Sequence, residues 1–173
     1  KETLILVLQL FLKQINYMEL QQKELAIDHV VVMKTLTNNK TLTAQQAFIT
    51  EIKNNPGIKT VSISNNVPGG RFSNVIGAIR PMGAKAEDGV KCYFIDMDEN
   101  YLDLYHIELI AGNNFTNNNY DKKEFVLINA TAAKMFGYAS PSEAVNQKIV
   151  MGEMDNQTRT IIGVTEDYHQ KSL

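Results

Sequence analysis

Residues 160 to 164, Thr-Ile-Ile-Gly-Val, form an apolar run of β type that stops abruptly at a dense polar cluster, Glu166-Asp167-Tyr168-His169. The run is expected to be a strand, because β-branched residues suit a pleated, packed surface. The cluster admits two readings. Asp167 and His169 lie two residues apart, so in an extended segment they point the same way, as an Asp-His pair orienting a nucleophile would. No Gly-x-Ser-x-Gly turn supplies a nucleophile. The other reading is a hydrogen-bonded exit from the last strand, made by Glu166, Asp167 and His169, with Tyr168 as a packed anchor at the edge of the core.

Upstream, apolar periodicity and turn residues divide the chain into short elements. Val30 to Met33 reads as a buried strand. Thr43-Ala44-Gln45-Gln46 reads as a capping box, which starts a helix with an apolar face of Ala44, Ala47, Phe48 and Ile52. Asn54-Asn55-Pro56-Gly57 ends that helix, and Lys59 to Asn65 alternates with a period of two, so the first unit is strand, helix, strand. Ser73 to Met82 and Val90 to Met97 are two further strands, joined as a hairpin or by a crossover. Tyr101 to Ile107 suggests a short helix, followed by a turn-rich polar loop from Leu109 to Glu124 around Gly112. Asn129 is placed to cap a helix over residues 130 to 136 that Gly137 terminates. Ser140-Pro141-Ser142-Glu143 is a second capping box, and the last strands are Lys148 to Met154 and Thr158 to Val164, flanking the turn Asp155-Asn156-Gln157.

With 173 residues and 44% apolar content, the chain has material for a packed core in one or two small domains. A net charge of -2 carries no excess of Lys or Arg to neutralise a phosphate backbone, so no nucleic-acid partner is expected. The single Cys92 lies in an apolar run and reads as an inert buried thiol. No cofactor, metal or catalytic residue is assigned. Asp96, Asp98 and Asn100 imitate the start of a calcium loop, but Tyr101 stands where its sharp turn needs glycine and Ile107 where it needs a bidentate glutamate. Gly69-Gly70-Arg71 lacks the Gly-Lys-Ser/Thr that would hold nucleotide phosphates, and His29, His106 and His169 lie at no metal-ligand spacing.

Leu4 to Leu12 is almost wholly apolar but far short of the ~20 residues that span a bilayer, and no signal-peptide cleavage site follows it. With Tyr17 placed where an amphipathic ring sits at a membrane interface, the stretch reads either as the outer end of a transmembrane helix or as an amphipathic core helix.

Three segments together resemble one family: YFIDMDENYLDLYHIELIAGNNF, EFVLINATAAKMFGYASPSEAVNQKIV and TRTIIGVTEDYHQKSL are similar to the MacB-like periplasmic core domain of FtsX-type ABC-transporter permeases. QINYMELQQKELAIDHVVVM also resembles the junction where that family's first transmembrane helix emerges and enters the domain. The chain departs from the family at Asn113, where relatives often place Arg after the loop glycine. It departs again at Asn146-Gln147, where Gly-Lys is common, although Asn too tolerates a left-handed backbone.

The resemblance implies an α+β fold of two lobes: residues 1–27 end a transmembrane helix and stalk, residues 28–98 with 158–173 make a porter-like lobe, and residues 99–157 make a smaller inserted α/β lobe. It implies a non-enzymatic role, mechanotransmission, in which a cytoplasmic ABC ATPase moves the paired periplasmic domains through the transmembrane helices for export or extraction of a substrate. The implied partners are that ATPase, a second permease copy or module, and a periplasmic adaptor or substrate; the full-length protein would sit in the cell inner membrane with this part facing the periplasm. Two readings of other classes compete with it: a ligand-binding extracytoplasmic sensor domain, and a hydrolase using Asp167 and His169.

Overall fold

The computed structural model describes residues 30–34, 42–70, 74–116 and 124–168. The expected membrane-helix end at residues 1–27 lies outside the described residues, as do His29, Arg71 and His169. No helix among the described residues is long and apolar enough to cross a membrane.

The fold is mixed α+β, built on one sheet of six strands. In chain order, helix α1 (Leu42–Lys53) is followed by strand β1 (Val75–Pro81), strand β2 (Val90–Tyr93), helix α2 (Tyr101–Leu104), strands β3 (Leu109–Gly112) and β4 (Phe125–Asn129), helices α3 (Ala130–Met135) and α4 (Pro141–Ala144), and strands β5 (Lys148–Met151) and β6 (Gln157–Thr165). The chain order in the sheet is β2-β1-β5-β6-β3, with β4 also on β6.

β6 is the spine, because three strands meet it. β5 pairs antiparallel with its first half and β3 antiparallel with its second, so these two lie end to end along one side. β4 runs parallel along the other side, from Phe125 opposite Thr160 to Asn129 opposite Thr165. The register slips at Ile162, which no residue of β4 opposes, and that extra residue is a bulge. Flanked on both sides, β6 buries Ile161, Ile162 and Val164, as the apolar run predicts. β1 and β5 come from stretches that the resemblance assigns to different lobes, and here they are neighbours in one sheet.

Two apolar clusters cover the two faces of the sheet, as alternation along β4 shows: Val126 and Ile128 join one cluster and Leu127 the other. The first gathers Ile79, Ile149, Met151, Ile161 and Val164 against Ala133 of α3 and Ala144 of α4. The second is built around Tyr101 and Leu102 of α2 with Tyr105 and Ile107.

Several local expectations hold. β1 and β2 form a hairpin. Asn129 caps α3, its side chain accepting from the Ala132 amide, and Gly137 follows the helix at φ 85°. Asn146 adopts φ 67°, the left-handed conformation that lets it stand for a glycine.

Others are corrected. Val30 to Met33 joins no strand ladder among the described residues, and Val31 is 85% exposed. Lys59 to Asn65 makes only the bridge Ser64 to Met97, because Asp98 takes the Ile63 amide and the Ser62 hydroxyl on its carboxylate, where a ladder would have used the backbone. Val90 to Met97 is a strand only as far as Tyr93, beyond which the chain turns to bond residues 63 to 65. Leu109 to Gly112 is strand β3, not loop, and β4 had no expected strand at all. Thr43 falls inside α1, whose first described residue is Leu42; the side chains of Thr43 and Gln46 lie outside the described residues. Ser140 makes no side-chain capping bond, and Glu143 reaches back to the Ala139 amide instead of closing a box.

Candidate functional site

Side-chain hydrogen bonds join parts of the described chain distant in sequence at several places: one ties Asp96, Asp98 and Asn100 to residues 61–65, and another is the polar cluster after β6. Three consecutive residues each fasten the chain to a different part of the fold. Glu166 donates its amide to the Glu108 carbonyl at 3.0 Å and accepts the Glu108 amide on Oε1 at 3.0 Å, which pins the connection between α2 and β3. Asp167 turns to the opposite side, as the next residue of an extended segment must. Its Oδ1 accepts from Asn129 Nδ2 at 2.6 Å and from the Thr131 amide at 2.9 Å, and its Oδ2 accepts from Thr131 Oγ1 at 2.7 Å. Tyr168 packs against the second apolar cluster, as a residue that anchors the edge of the core.

The β4–α3 junction is shaped to receive Asp167. Asn129 ends β4 in extended backbone and starts α3, and its amide does two jobs: Oδ1 accepts from the Ala132 amide at 3.0 Å, while Nδ2 donates to Asp167. The two jobs fall to two separate atoms, a donor and an acceptor, which explains asparagine over aspartate, which has no donor, and over serine, whose single short hydroxyl would have to reach both partners. Thr131 presents its amide and hydroxyl side by side, matching the two oxygens of one carboxylate. The carboxylate receives three bonds, charge-assisted and therefore stronger than neutral ones.

The hydrogen-bonded exit expected from the sequence is thus realised at Glu166 and Asp167; His169, its third expected member and the hydrolase reading's base, lies outside the described residues. Asn129, Thr131 and Glu108 were not legible as members of this site. Asn129 carried a local signal as a cap, but nothing in the sequence tells that its free amide end meets a carboxylate 38 residues on.

The calcium-like residues are structural. Asp98 accepts from Ser62 Oγ at 2.5 Å, the Ile63 amide at 2.8 Å and the Asn100 amide at 3.2 Å, and Asp96 exchanges two bonds with the Asn65 side chain. No group of three or more His, Cys, Asp or Glu among the described residues is arranged to hold a metal ion. An open cleft of about 2130 Å³ is lined by residues of α1 and the segment after it, among them Phe48, Ile52 and Ile63, and by residues from both apolar clusters, among them Phe94, Met151 and Leu127. Asp96 and Asp98 at its wall have their carboxylates engaged by the bonds just given.

A family model described as the MacB-like periplasmic core domain matches residues 4–173. No curated protein sequence matches the chain. Among solved structures, the periplasmic region of MacB from Actinobacillus actinomycetemcomitans is 15% identical over 73% of this chain and 52% of its own, with a TM-score of 0.51, a likeness of fold. The extracellular domain of the noncanonic ABC-type transporter YknZ from Gram-positive bacteria is 20% identical, with 79% of this chain and 67% of that one covered and a TM-score of 0.44. The chain therefore spans about half the length of the MacB region.

Proposed function

The chain belongs to the MacB-like periplasmic core domain family, and from that membership we propose that it is the extracytoplasmic domain of an ABC-transporter permease subunit, carrying ATPase-driven conformational change across the membrane. Its partners in this reading are a cytoplasmic ABC ATPase and a second permease copy, and the full-length protein lies in the cell inner membrane with this domain in the periplasm. The domain makes and breaks no bonds; it moves.

One observation supports the mechanical reading above all: the exit of the central strand is tied at three successive residues to three parts of the fold. A domain that moves as one body needs the chain leaving its central strand to be held stiffly, so that displacement there turns the body. With an apolar cluster on each face of the sheet, the body behind the attachment is packed and transmits strain.

The test uses the full-length permease with its ATPase in proteoliposomes and one fluorescent label at the exposed position 134 on α3. Energy transfer from the label to a dye in the bilayer is expected to change when ATP binds. Constant transfer through ATP binding and hydrolysis would overturn the proposal, and saturable binding of a small molecule in the cleft would then support a sensor domain.

A further inference from the structure

We propose that Asp167 is a positioning residue of the transport cycle: its carboxylate locks the chain leaving β6 to the β4–α3 junction, so that movement of that chain turns the sheet and α3 with it. This rests on the permease reading above.

Each residue of a polypeptide offers two soft dihedrals, so a link that leaves a strand without side-chain support bends at its first few residues. Displacement is then lost as local bending. Here the pivot is blocked where it would form. Asp167 is the second residue after β6, and its three bonds at 2.6, 2.7 and 2.9 Å reach both the last residue of β4 and the first turn of α3. Glu166 braces the opposite side through Glu108, so the exit is fixed against swing in both directions. A carboxylate suits this task because its two oxygens accept several donors at once and hold them in a plane.

The joint is separable from the core. Asp167 is exposed and belongs to neither apolar cluster, so its bonds are not needed to satisfy a buried charge. Removing it should leave the sheet folded and free only the exit.

Conservative and radical variants distinguish a joint from a charge. In Asp167→Asn, the amide oxygen can still accept from Asn129 and the Thr131 amide, while the amide nitrogen donates to Thr131 Oγ1, whose hydroxyl serves either role. Asp167→Ala makes none of these bonds. The experiment is the bilayer energy-transfer assay on the full-length permease with label at position 134, normalised to bound ATP, together with hydrogen exchange at the Thr131 amide. Asp167→Ala is expected to lose the ATP-driven change in transfer and to expose the Thr131 amide to exchange; Asp167→Asn is expected to keep both near the wild-type values. A wild-type protein with no ATP-driven change overturns the permease reading itself. A wild-type change that Asp167→Ala retains overturns the joint alone, as does equal loss in the Asn and Ala variants, which would assign the effect to charge. If Asp167→Ala fails to reach the membrane, Thr131→Val, which deletes one donor, carries the comparison: a reduced change supports the joint and an undiminished one overturns it.

Discussion

Gly112 and Gly163 face each other across β3 and β6, and at this crossing the two backbones come too close for a side chain. Gly112 has φ 76°, and a Cβ there would collide with the Ile162 carbonyl oxygen and lie 2.8 Å from the Gly163 Cα. Gly137 also has a positive φ, 85°, but a Cβ on it would meet nothing within 4 Å. The pair separates conformational strain from collision. Gly137→Ala should cost about 1 kcal/mol, the penalty of the left-handed backbone alone, and Gly112→Ala about 3 kcal/mol, because backbone atoms must also move. Urea denaturation of the domain measures both; equal losses would mean that β3 can shift away from β6 without cost. The sequence marked Gly112 only as the centre of a loop, since a glycine that allows close approach looks the same in a sequence as one that makes a turn.

At the scale of elements, the helix punctuation was the most legible part. Asn129 and Gly137 bracket α3 as read, because a cap is a local interaction between residues three apart. The strands were less so. β3 was hidden in an Asn-rich stretch, and β4, with Phe-Val-Leu-Ile-Asn, shows no alternation because both its faces are covered. The residues from 59 to 65 do alternate, yet their backbone bonds to Asp98 instead of to a strand; periodicity reports the faces of a segment and says nothing of its neighbour. Asn129 joins what was legible to what was not, and its variants test the join. Asn129→Ser should keep the cap and lose the strut to Asp167, at about 1 kcal/mol; Asn129→Ala should lose both, at about 2 kcal/mol. Asn129→Asp keeps the acceptor but sets carboxylate against carboxylate, so it should cost as much as alanine. Exchanging the two, Asn129→Asp with Asp167→Asn, restores one donor and one acceptor in reverse and should recover most of that loss in thermal denaturation. No recovery in the exchanged pair would show that the two side chains do not meet.

The whole molecule depends on β6 being held from both faces, and the titrating groups packed into the two apolar clusters, Tyr105 buried and Cys92 and Tyr138 half-buried, make that dependence measurable at high pH. Burial raises Tyr105 above the usual tyrosine range, in the cluster with Tyr101 and Leu102, and raises Tyr138, which packs against the opposite cluster. Burial also raises the Cys92 thiol. Each is an acid that charges on losing its proton, and desolvation disfavours the charged form only in the folded state. Above the unfolded pKa of each group the unfolded chain therefore holds fewer protons than the folded one, and the sign of the linkage makes stability fall as pH rises. The loss should begin near pH ~8.5 with Cys92, steepen near pH ~10 with the tyrosines, and stop growing once the folded pKa of each is passed. Cys92→Ser should remove the early part and Tyr105→Phe much of the later part, without altering stability at neutral pH by a comparable amount. Because both clusters share β4 and β6, the alkaline loss should lower one common unfolding transition, seen alike by far-UV circular dichroism and by tyrosine absorbance. Two separate transitions would mean that the faces of the sheet unfold independently, and a body divided in that way could not carry movement from the exit of β6 to α3.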